Sequence, residues 1–466
     1  MMKIFNMNPK YSSTTTTVME TESRLVSITH QINFPVDLIA FLLLAPPSTR
    51  RVYWENQKLD LAFAGFDIAA EIFASDSDRF ATVTREIKDL FSRSLIESPD
   101  PAAMPRLFGG FAFQPDFQPE GIWQAFPAAY FMLPRYQISC SGNQTWLTIN
   151  ACVTVTSEIE SLRAELKDLV QRLSVSPASS SDNFASIPSY RFSYPLEQQD
   201  WNRQINETTH RIKAGELEKV VLSRTCDVNF TAPVDPLNAL SRLRERYPDT
   251  YRFLLEPLPG QAFFGATPEL LISVNGRQIF TGALAGSIKR GATNQEDDQI
   301  AAQLFPNPKE RHEHNLVVIA LEDLLLPITS KLNVPEAPQI LKLSNIQHLY
   351  SPITGELKSD LSVLEVVEKL HPTPALGGYP RQIAVETIRQ NELIARGWYA
   401  APVGWVDAQG NGVFAVAIRS AVSNGNQARL YAGVGIVADS DPDREWDETR
   451  LKFRPMLDAL GVSSQV

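Results

Sequence analysis

The order of strand-like and helical segments in the second half of the chain constrains the fold most. Between residues 200 and 460, apolar runs typical of strands and amphipathic runs typical of helices do not alternate as they would in a doubly wound parallel sheet. The strand-like runs are 219–225, 263–266, 270–274, 413–418 and 429–437. The helical runs are 200–213, 309–326, 361–370, 381–395 and 445–460. This order predicts an α+β fold.

A first region, residues 25–173, is also mixed. It has a strand-like run at 146–156 and a helical run at 158–173, and in segment 107–114 aromatic and small residues alternate as in a buried strand. Ser, Pro and Ala then dominate, so we interpret 174–199 as a linker or loop and 200–466 as the region that carries the chemistry. Residues 1–24, with a Ser/Thr tract, are expected to be a disordered tail, and a plastid transit segment is the alternative.

Composition limits the partners and the compartment. The protein has 466 residues and a net charge of -10, so it lacks the basic surface that nucleic acid or anionic lipid requires. No apolar run reaches the ~18 residues of a membrane span. The three cysteines lack C-x-x-C spacing, which argues against a disulfide framework and a thiolate zinc site. We expect a cytoplasmic protein that binds neither nucleic acid nor membrane, as a monomer or homodimer.

Two predicted helices carry glutamates three residues apart. Glu310 and Glu313 share a face with core-type residues, and Glu445 and Glu448 repeat the spacing. The ordinary explanations are a solvated first turn and, for Glu448 with Lys452, an exposed i,i+4 pair. The alternative is that both pairs face inward, where four carboxylates would suit Mg²⁺ with waters in its shell.

Further candidates lie at strand ends and in glycine-rich segments. Lys219 begins a strand-like run, where a lysine is usually an edge residue but becomes a usable base if it is enclosed. Glu269 enters another strand, where a lone glutamate is ordinarily exposed. Arg419 ends a strand and could clamp a carboxylate. The stretches 281–287 and 432–436 either offer backbone N–H groups to an anion or form tight turns.

Together and in this order, these motifs resemble the chorismate-utilising enzymes. This family includes isochorismate and salicylate synthases and the synthase subunits of anthranilate and aminodeoxychorismate synthase. The matching segments are 109–113, 219–224, 265–269, 282–286, 309–314, 371–378, 396–399, 415–419, 433–435 and 445–449, with His348. The resemblance implies one compact α+β domain with a two-lobed, mostly antiparallel β structure, helices packed outside and the site at one edge.

The resemblance also implies a role for each candidate. Lys219 is similar to the general base that activates water for attack at ring C2, and Glu269 to the general acid that protonates the departing C4 hydroxyl. The residues implied to hold the cofactor Mg²⁺ are Glu313 and Glu448 as ligands, with Glu310 and Glu445 acting through water. The residues implied to bind the substrate are Gly286, His348, Ala375, Tyr399, Arg419, Gly433, Gly435 and Lys452.

Two positions favour isochorismate as the product. Relatives that aminate chorismate typically have Gln where Lys219 stands, so the lysine favours water, and no glutaminase subunit is expected. Relatives that eliminate pyruvate commonly have Thr where Ala375 stands. The expected activity is that of an isochorismate synthase, an isomerase acting on chorismate. A salicylate synthase and a non-catalytic chorismate-binding protein are the alternatives, and the quinone, siderophore and salicylate pathways all stay open.

Overall fold

A computed structural model of the protein describes residues 23–155, 157–175, 187–343 and 346–462. Most of the predicted tail and residues 176–186 of the predicted linker lie outside the described residues. The α-helices are α1 (Leu38–Leu43), α2 (Arg79–Ser92), α3 (Ser157–Val175), α4 (Gln198–Lys213), α5 (Pro236–Arg246), α6 (Asn294–Ala302), α7 (Pro308–Leu325), α8 (Val363–Leu370), α9 (Arg381–Asn391) and α10 (Pro442–Leu460). In this part of the chain, none of the helices has the length and apolarity that a membrane span needs.

The strands form one connected network. They are β1 (Arg24–Ile32), β2 (Arg51–Asn56), β3 (Leu61–Ala74), β4 (Leu95–Glu97), β5 (Arg106–Phe111), β6 (Ala129–Ser141), β7 (Gln144–Val153), β8 (Tyr190–Ser193), β9 (Lys219–Phe230), β10 (Tyr251–Leu258), β11 (Gln261–Thr267), β12 (Leu270–Asn275), β13 (Gln278–Lys289), β14 (Thr329–Asn333), β15 (Gln339–Lys342), β16 (Ile346–Leu357), β17 (Gly378–Tyr379), β18 (Pro402–Asp407), β19 (Gly412–Val416), β20 (Ser420–Asn424) and β21 (Gln427–Ile436).

Strand β6 is the point where the sheet divides into two arms. Its first half pairs with β5, its second half pairs with β7, and β3 runs along its whole length. One arm continues from β3 through β2, β10, β11, β20 and β21 to β9. The other continues from β5 through β18, β19, β12 and β13 to β16. Among the described strands only β1 and β4 pair in parallel, so the predicted α+β, mostly antiparallel fold is confirmed.

The alternation of aromatic and small residues in segment 107–114 reflects close backbone contact. Strand β5 is buried along its whole length. A Cβ atom added at Gly109 would lie 2.1 Å from the carbonyl oxygen of Tyr130, and one at Gly110 would lie 2.5 Å from that of Pro402. Only glycine lets β6 and β18 approach β5 this closely. The predicted buried strand is therefore confirmed.

One helix boundary needs correction, and one of the two alternatives for the glycine-rich stretches is excluded. Helix α9 ends at Asn391 rather than at residue 395, because Glu392 is extended and its carboxylate accepts hydrogen bonds from Ser223 N and from Arg396. The stretches 281–287 and 432–436 are not tight turns. They lie inside β13 and β21, and the first contains a β-bulge at Gly286, where φ is +76°.

Strands from the two predicted regions pair directly with each other. Strand β2 pairs with β10, and β5 pairs with β18. Side chains from both regions also share one hydrophobic cluster, in which Phe63 lies against Trp405 and Trp123 against Phe263. These contacts support the expectation of a single domain, which stays a prediction.

Candidate active site

One pocket gathers all the site residues that the sequence predicts. They are Lys219, Glu269, Gly286, Glu310, Glu313, His348, Ala375, Tyr399, Arg419, Gly433, Gly435, Glu445, Glu448 and Lys452. Strands β9 and β21 supply one wall from the first arm of the sheet, and β13 and β16 supply another from the second arm. Helices α7 and α10 and the loop segments that carry Glu269, Ala375, Tyr399 and Arg419 complete the lining. The pocket therefore lies where the two arms and two helix N-termini meet.

Similar local sequences start the two helices that carry the glutamate pairs. The side chain of Asn307 accepts hydrogen bonds from two backbone N–H groups in the first turn of α7, and Asp441 accepts one in α10. Pro308 and Pro442 occupy the first helical positions, where a missing N–H costs nothing. Helix α7 packs on β13 and α10 packs on β21. Each glutamate pair is thereby held at the pocket.

Lys219 lies in the pocket as one half of an ion pair. It is 1% exposed, so it is not an ordinary edge lysine. Its Nζ atom lies 2.8 Å from Oε1 of Glu313. A Cβ atom added at Gly435 would lie 2.8 Å from that same oxygen and 2.9 Å from Cε of Lys219. The glycine therefore leaves the space that the ion pair occupies.

A Gly435→Ala protein is expected to lose about 10²-fold in kcat, because the added methyl group must displace Lys219 or Glu313 by a distance on the order of 1 Å. Steady-state kinetics, with thermal unfolding as a check on folding, measures this effect. A Gly435→Ala protein with the kcat of the unaltered protein would show that the position of this ion pair is not critical.

The carboxylates of α10 contact lysines. Nζ of Lys452 lies 2.6 Å from Oε1 of Glu448 and donates to the carbonyl oxygen of Gly433 at 2.9 Å. This is the i,i+4 pair anticipated from the sequence, but it lines the pocket. Glu445 is 3% exposed, and Nζ of Lys309 lies 3.4 Å from its Oε1 atom. Glu445 and Glu448 therefore each have a lysine beside them.

The four carboxylates act on one another electrostatically. Burial and the neighbouring charge of Glu313 raise the pKa of Glu310, whose Oε2 atom accepts a hydrogen bond from Ser287 N at 2.9 Å. Burial also raises the pKa of Glu445, although Lys309 opposes the effect. Burial alone would raise the pKa of Glu448, but Lys452 outweighs it and the net shift is downward. Crowded acids of this kind favour the presence of additional positive charge.

The four carboxylates do not converge into a metal cluster by themselves. Within the described residues, no group of three or more His, Cys, Asp or Glu side chains is gathered closely enough to hold a metal ion. The reason lies in the contacts just described, since Glu313, Glu445 and Glu448 each turn toward a lysine and Glu310 turns toward a backbone amide. The donor set nevertheless consists of four carboxylates on one pocket wall, the oxygen ligands that a hard divalent cation prefers.

Glu269 occupies a different environment from the other acids. It is 8% exposed and lies between β11 and β12. Within the described residues its carboxyl group has no hydrogen-bond or ion-pair partner. Burial raises its pKa to about 7, although Lys219, Arg419 and Lys452 act in the opposite direction. This acid is therefore partly protonated at neutral pH.

Arg419 presents a cation to the pocket from a strained backbone. Its φ is +50°, in the left-handed region that side-chain-bearing residues seldom adopt. Its guanidinium has no hydrogen-bond or ion-pair partner in the described part of the chain, and burial lowers its pKa. Such a group can pair with a carboxylate of a bound molecule.

Tyr399 and His348 complete the polar lining. Tyr399 stacks on Tyr431 with ring centroids 5.0 Å apart, and burial raises its pKa to about 12, so it keeps its proton. Nδ1 of His348 lies 2.8 Å from the Ser287 hydroxyl oxygen. Burial, with the charges of Arg419 and Lys452, lowers the pKa of His348 to about 3. The imidazole is therefore neutral at neutral pH.

Two polar residues of the pocket were missed by the sequence reasoning as site residues. Lys309 reaches Glu445 on another helix, and Ser287 contacts both His348 and Glu310. Both are next to a predicted site residue along the chain, and that adjacency is the signal that could have found them. The directions in which these two side chains point, however, depend on tertiary packing.

The chain is similar to several known proteins. A family model described as "Chorismate binding enzyme" matches residues 12–461. The isochorismate synthase MenF of Bacillus subtilis is 36% identical over 445 residues, 94% of this chain and 93% of that protein. The salicylate biosynthesis isochorismate synthase of Pseudomonas aeruginosa is 35% identical over 88% of this chain and 85% of its own.

Solved structures show the same architecture. The menaquinone-specific isochorismate synthase MenF of Escherichia coli superimposes with a TM-score of 0.78 at 26% identity and covers 94% of each chain. Anthranilate synthase component I of Streptococcus pneumoniae, at 19% identity and a TM-score of 0.69, shares the fold. On the family match and on relatives of this identity and coverage, the chain belongs to the chorismate-binding enzymes.

Proposed function

We propose that this protein is an isochorismate synthase that converts chorismate to isochorismate with Mg²⁺ as cofactor. One observation carries the proposal: a single pocket holds a buried lysine, together with a buried carboxyl group and a guanidinium that have no partner among the described residues. The relatives from Bacillus subtilis and Pseudomonas aeruginosa, which match 94% and 88% of the chain, are both named isochorismate synthases, and this supports the same reaction here.

The reaction needs a base and an acid. Lys219 serves as the base that accepts a proton from water while the water oxygen bonds to ring C2. Both ring double bonds shift by one position, the bond between C4 and its hydroxyl breaks, and Glu269 donates a proton to the departing group. One water enters and one leaves, so the net change is an isomerisation. The pKa of about 7 at Glu269 keeps a proton available at neutral pH.

The remaining polar groups hold the substrate. Chorismate carries two carboxylates, which an acidic pocket would repel without cations. The free guanidinium of Arg419 is suited to one of them, with Lys452 and the Tyr399 hydroxyl as further donors. His348 is neutral, so it positions the substrate by hydrogen bonding rather than by charge. Gly433 leaves room for Tyr399, whose hydroxyl lies 3.0 Å from the position of an added Cβ.

The acidic wall fits Mg²⁺. Glu313 and Glu448 would hold the ion directly, with Glu310 and Glu445 supporting it through water. Burial, together with the negative charge of neighbouring glutamates, raises the pKa values of Glu310 and Glu445, and a divalent cation would offset that negative charge. The ion, when bound, supplies a positive charge that binds and orients a substrate carboxylate.

A Glu310→Gln protein is expected to need about 10- to 100-fold more Mg²⁺ for half-maximal activity, because an outer-sphere acid is lost. The amide oxygen can still accept the hydrogen bond from Ser287 N, so the local backbone should be retained. Asp323→Asn, exposed on the same helix, is the matched control. An unchanged Mg²⁺ titration in Glu310→Gln would remove this residue from the proposed metal site.

Product analysis tests the proposed function. Purified protein is incubated with chorismate, with and without Mg²⁺, and the products are separated by liquid chromatography. We expect magnesium-dependent isochorismate without pyruvate. Salicylate with pyruvate would keep the site but refute the product, and with it the interpretation of Ala375. Binding of chorismate without turnover would instead identify a non-catalytic binding protein.

A further inference from the structure

A second, larger cavity opens on another face of the protein. It measures about 980 Å³ and lies between the start of α2, the chain after β5, the end of α8 and helix α9. It shares no lining residue with the active-site pocket. Nothing in the proposed reaction uses it.

Arg79 is the unusual member of this cavity. It is 3% exposed, yet no carboxylate of the described residues lies within ion-pair distance. Its Nη2 atom donates to the carbonyl oxygen of Ala112 at 3.3 Å, and its Nε atom is buried without a hydrogen-bond partner among the described residues. An incompletely satisfied buried cation is costly, so a feature of this kind points to a missing partner.

A second arginine in the cavity also lacks a carboxylate partner among the described residues. Arg381 is half-buried and donates to a backbone carbonyl at 3.1 Å, with no carboxylate beside it in the described part of the chain. By contrast, Arg211 and Arg389 have carboxylates at 2.8 and 2.9 Å. The two lining glutamates are exposed to solvent. The cavity therefore contains two guanidinium groups that form no ion pair with a described carboxylate, although Glu368, Asp116 and Asp76 act on Arg79 from a longer range.

The rest of the lining is largely apolar. It includes Phe80, Phe113, Pro115, Pro372, Ile383 and Val385. Apolar walls with a few convergent polar groups are typical of small-molecule sites. Inorganic anions would leave these walls uncovered, whereas a carboxylate on a hydrophobic body would satisfy both surfaces.

We propose that this cavity is a second binding site, for a small organic carboxylate whose anionic group pairs with Arg79 and Arg381 and whose apolar body lies against Phe80 and Phe113. The site is independent of the proposed reaction, because its residues and its ligand class follow from this cavity alone.

Calorimetric titration of the full-length protein with benzoate tests the proposal without turnover. Arg79→Gln and Ile383→Glu are expected to weaken binding by about tenfold or more, the first by removing the cation and the second by adding a like charge. Ile383 is 41% exposed, so its variant should fold even if Arg79→Gln does not. Leu393→Glu, at an 80% exposed position beyond α9, is the matched control and should bind normally.

Three outcomes would overturn the proposal. The first is the absence of benzoate binding at millimolar concentration. The second is equal binding of benzyl alcohol, which would show that the anion is not recognised. The third is retention of binding in Ile383→Glu with its loss in Arg419→Gln, which would place the benzoate in the active-site pocket.

Discussion

Replacing Lys219 with alanine is expected to lower kcat by about 10²- to 10⁴-fold, the usual contribution of a general base. The amine is 1% exposed and lies at the centre of the polar pocket, and no other described lysine of the pocket is buried to this degree. KM should change less, because the proposed substrate contacts lie on other residues. The rate of isochorismate formation, followed by liquid chromatography, measures the effect.

Lys219→Gln separates the chemical role of the lysine from a packing role. Glutamine fills most of the same space and can still donate to Glu313, but it cannot accept a proton from water. Lys219→Gln should therefore be as inactive as Lys219→Ala, but it should unfold at a higher temperature than Lys219→Ala. Lys331→Ala, at an exposed position on β14, is the control for loss of a lysine elsewhere. Near-normal turnover in Lys219→Ala would remove Lys219 as the base.

Glu269→Gln is expected to lose a comparable factor, about 10²- to 10⁴-fold in kcat, because an amide cannot protonate the departing hydroxyl. The carboxyl group has no hydrogen-bond partner within the described residues, so the nearly isosteric change should leave the fold intact. Initial rates under saturating chorismate and Mg²⁺ measure the effect. Turnover within a few-fold of the unaltered protein would show that the proton comes from another group.

The pH dependence gives an independent test of Glu269. Its pKa is raised to about 7, so the protonated form that donates is present below that pH and is lost above it. We expect kcat/KM to fall on the alkaline side of about pH 7, approaching tenfold per pH unit. The residual activity of Glu269→Gln should lack this limb. If kcat/KM of that variant still falls above the same pH, the titration belongs to another residue.

The residues that the sequence predicted for the site line one pocket, but their contacts with one another were not predicted. Helical periodicity placed Glu310 with Glu313, and Glu445 with Glu448, on common faces, but periodicity alone cannot distinguish an inward face from a solvated one. The resemblance to the family resolved this ambiguity. The packing of α7 on β13 and of α10 on β21 then shows why both faces reach one pocket.

What the sequence could not give depends on contacts between distant segments. Lys309 reaches across to Glu445, 136 residues away along the chain. The positive φ of Arg419 and the early end of α9 at Asn391 likewise follow from tertiary surroundings. The glycine-rich segments were ambiguous for a related reason, because glycine serves both a turn and a close strand pairing. The local sequence pattern does not show whether a glycine serves a turn or a close strand pairing.

Isotope labelling tests the central claim most directly. Chorismate is converted in water enriched in ¹⁸O with Mg²⁺ present, and the product is analysed by mass spectrometry. If water adds at C2 while the C4 hydroxyl leaves, isochorismate gains one ¹⁸O atom from solvent. Unlabelled isochorismate would contradict the account, because the oxygen would then have moved from C4 to C2 without water serving as the nucleophile.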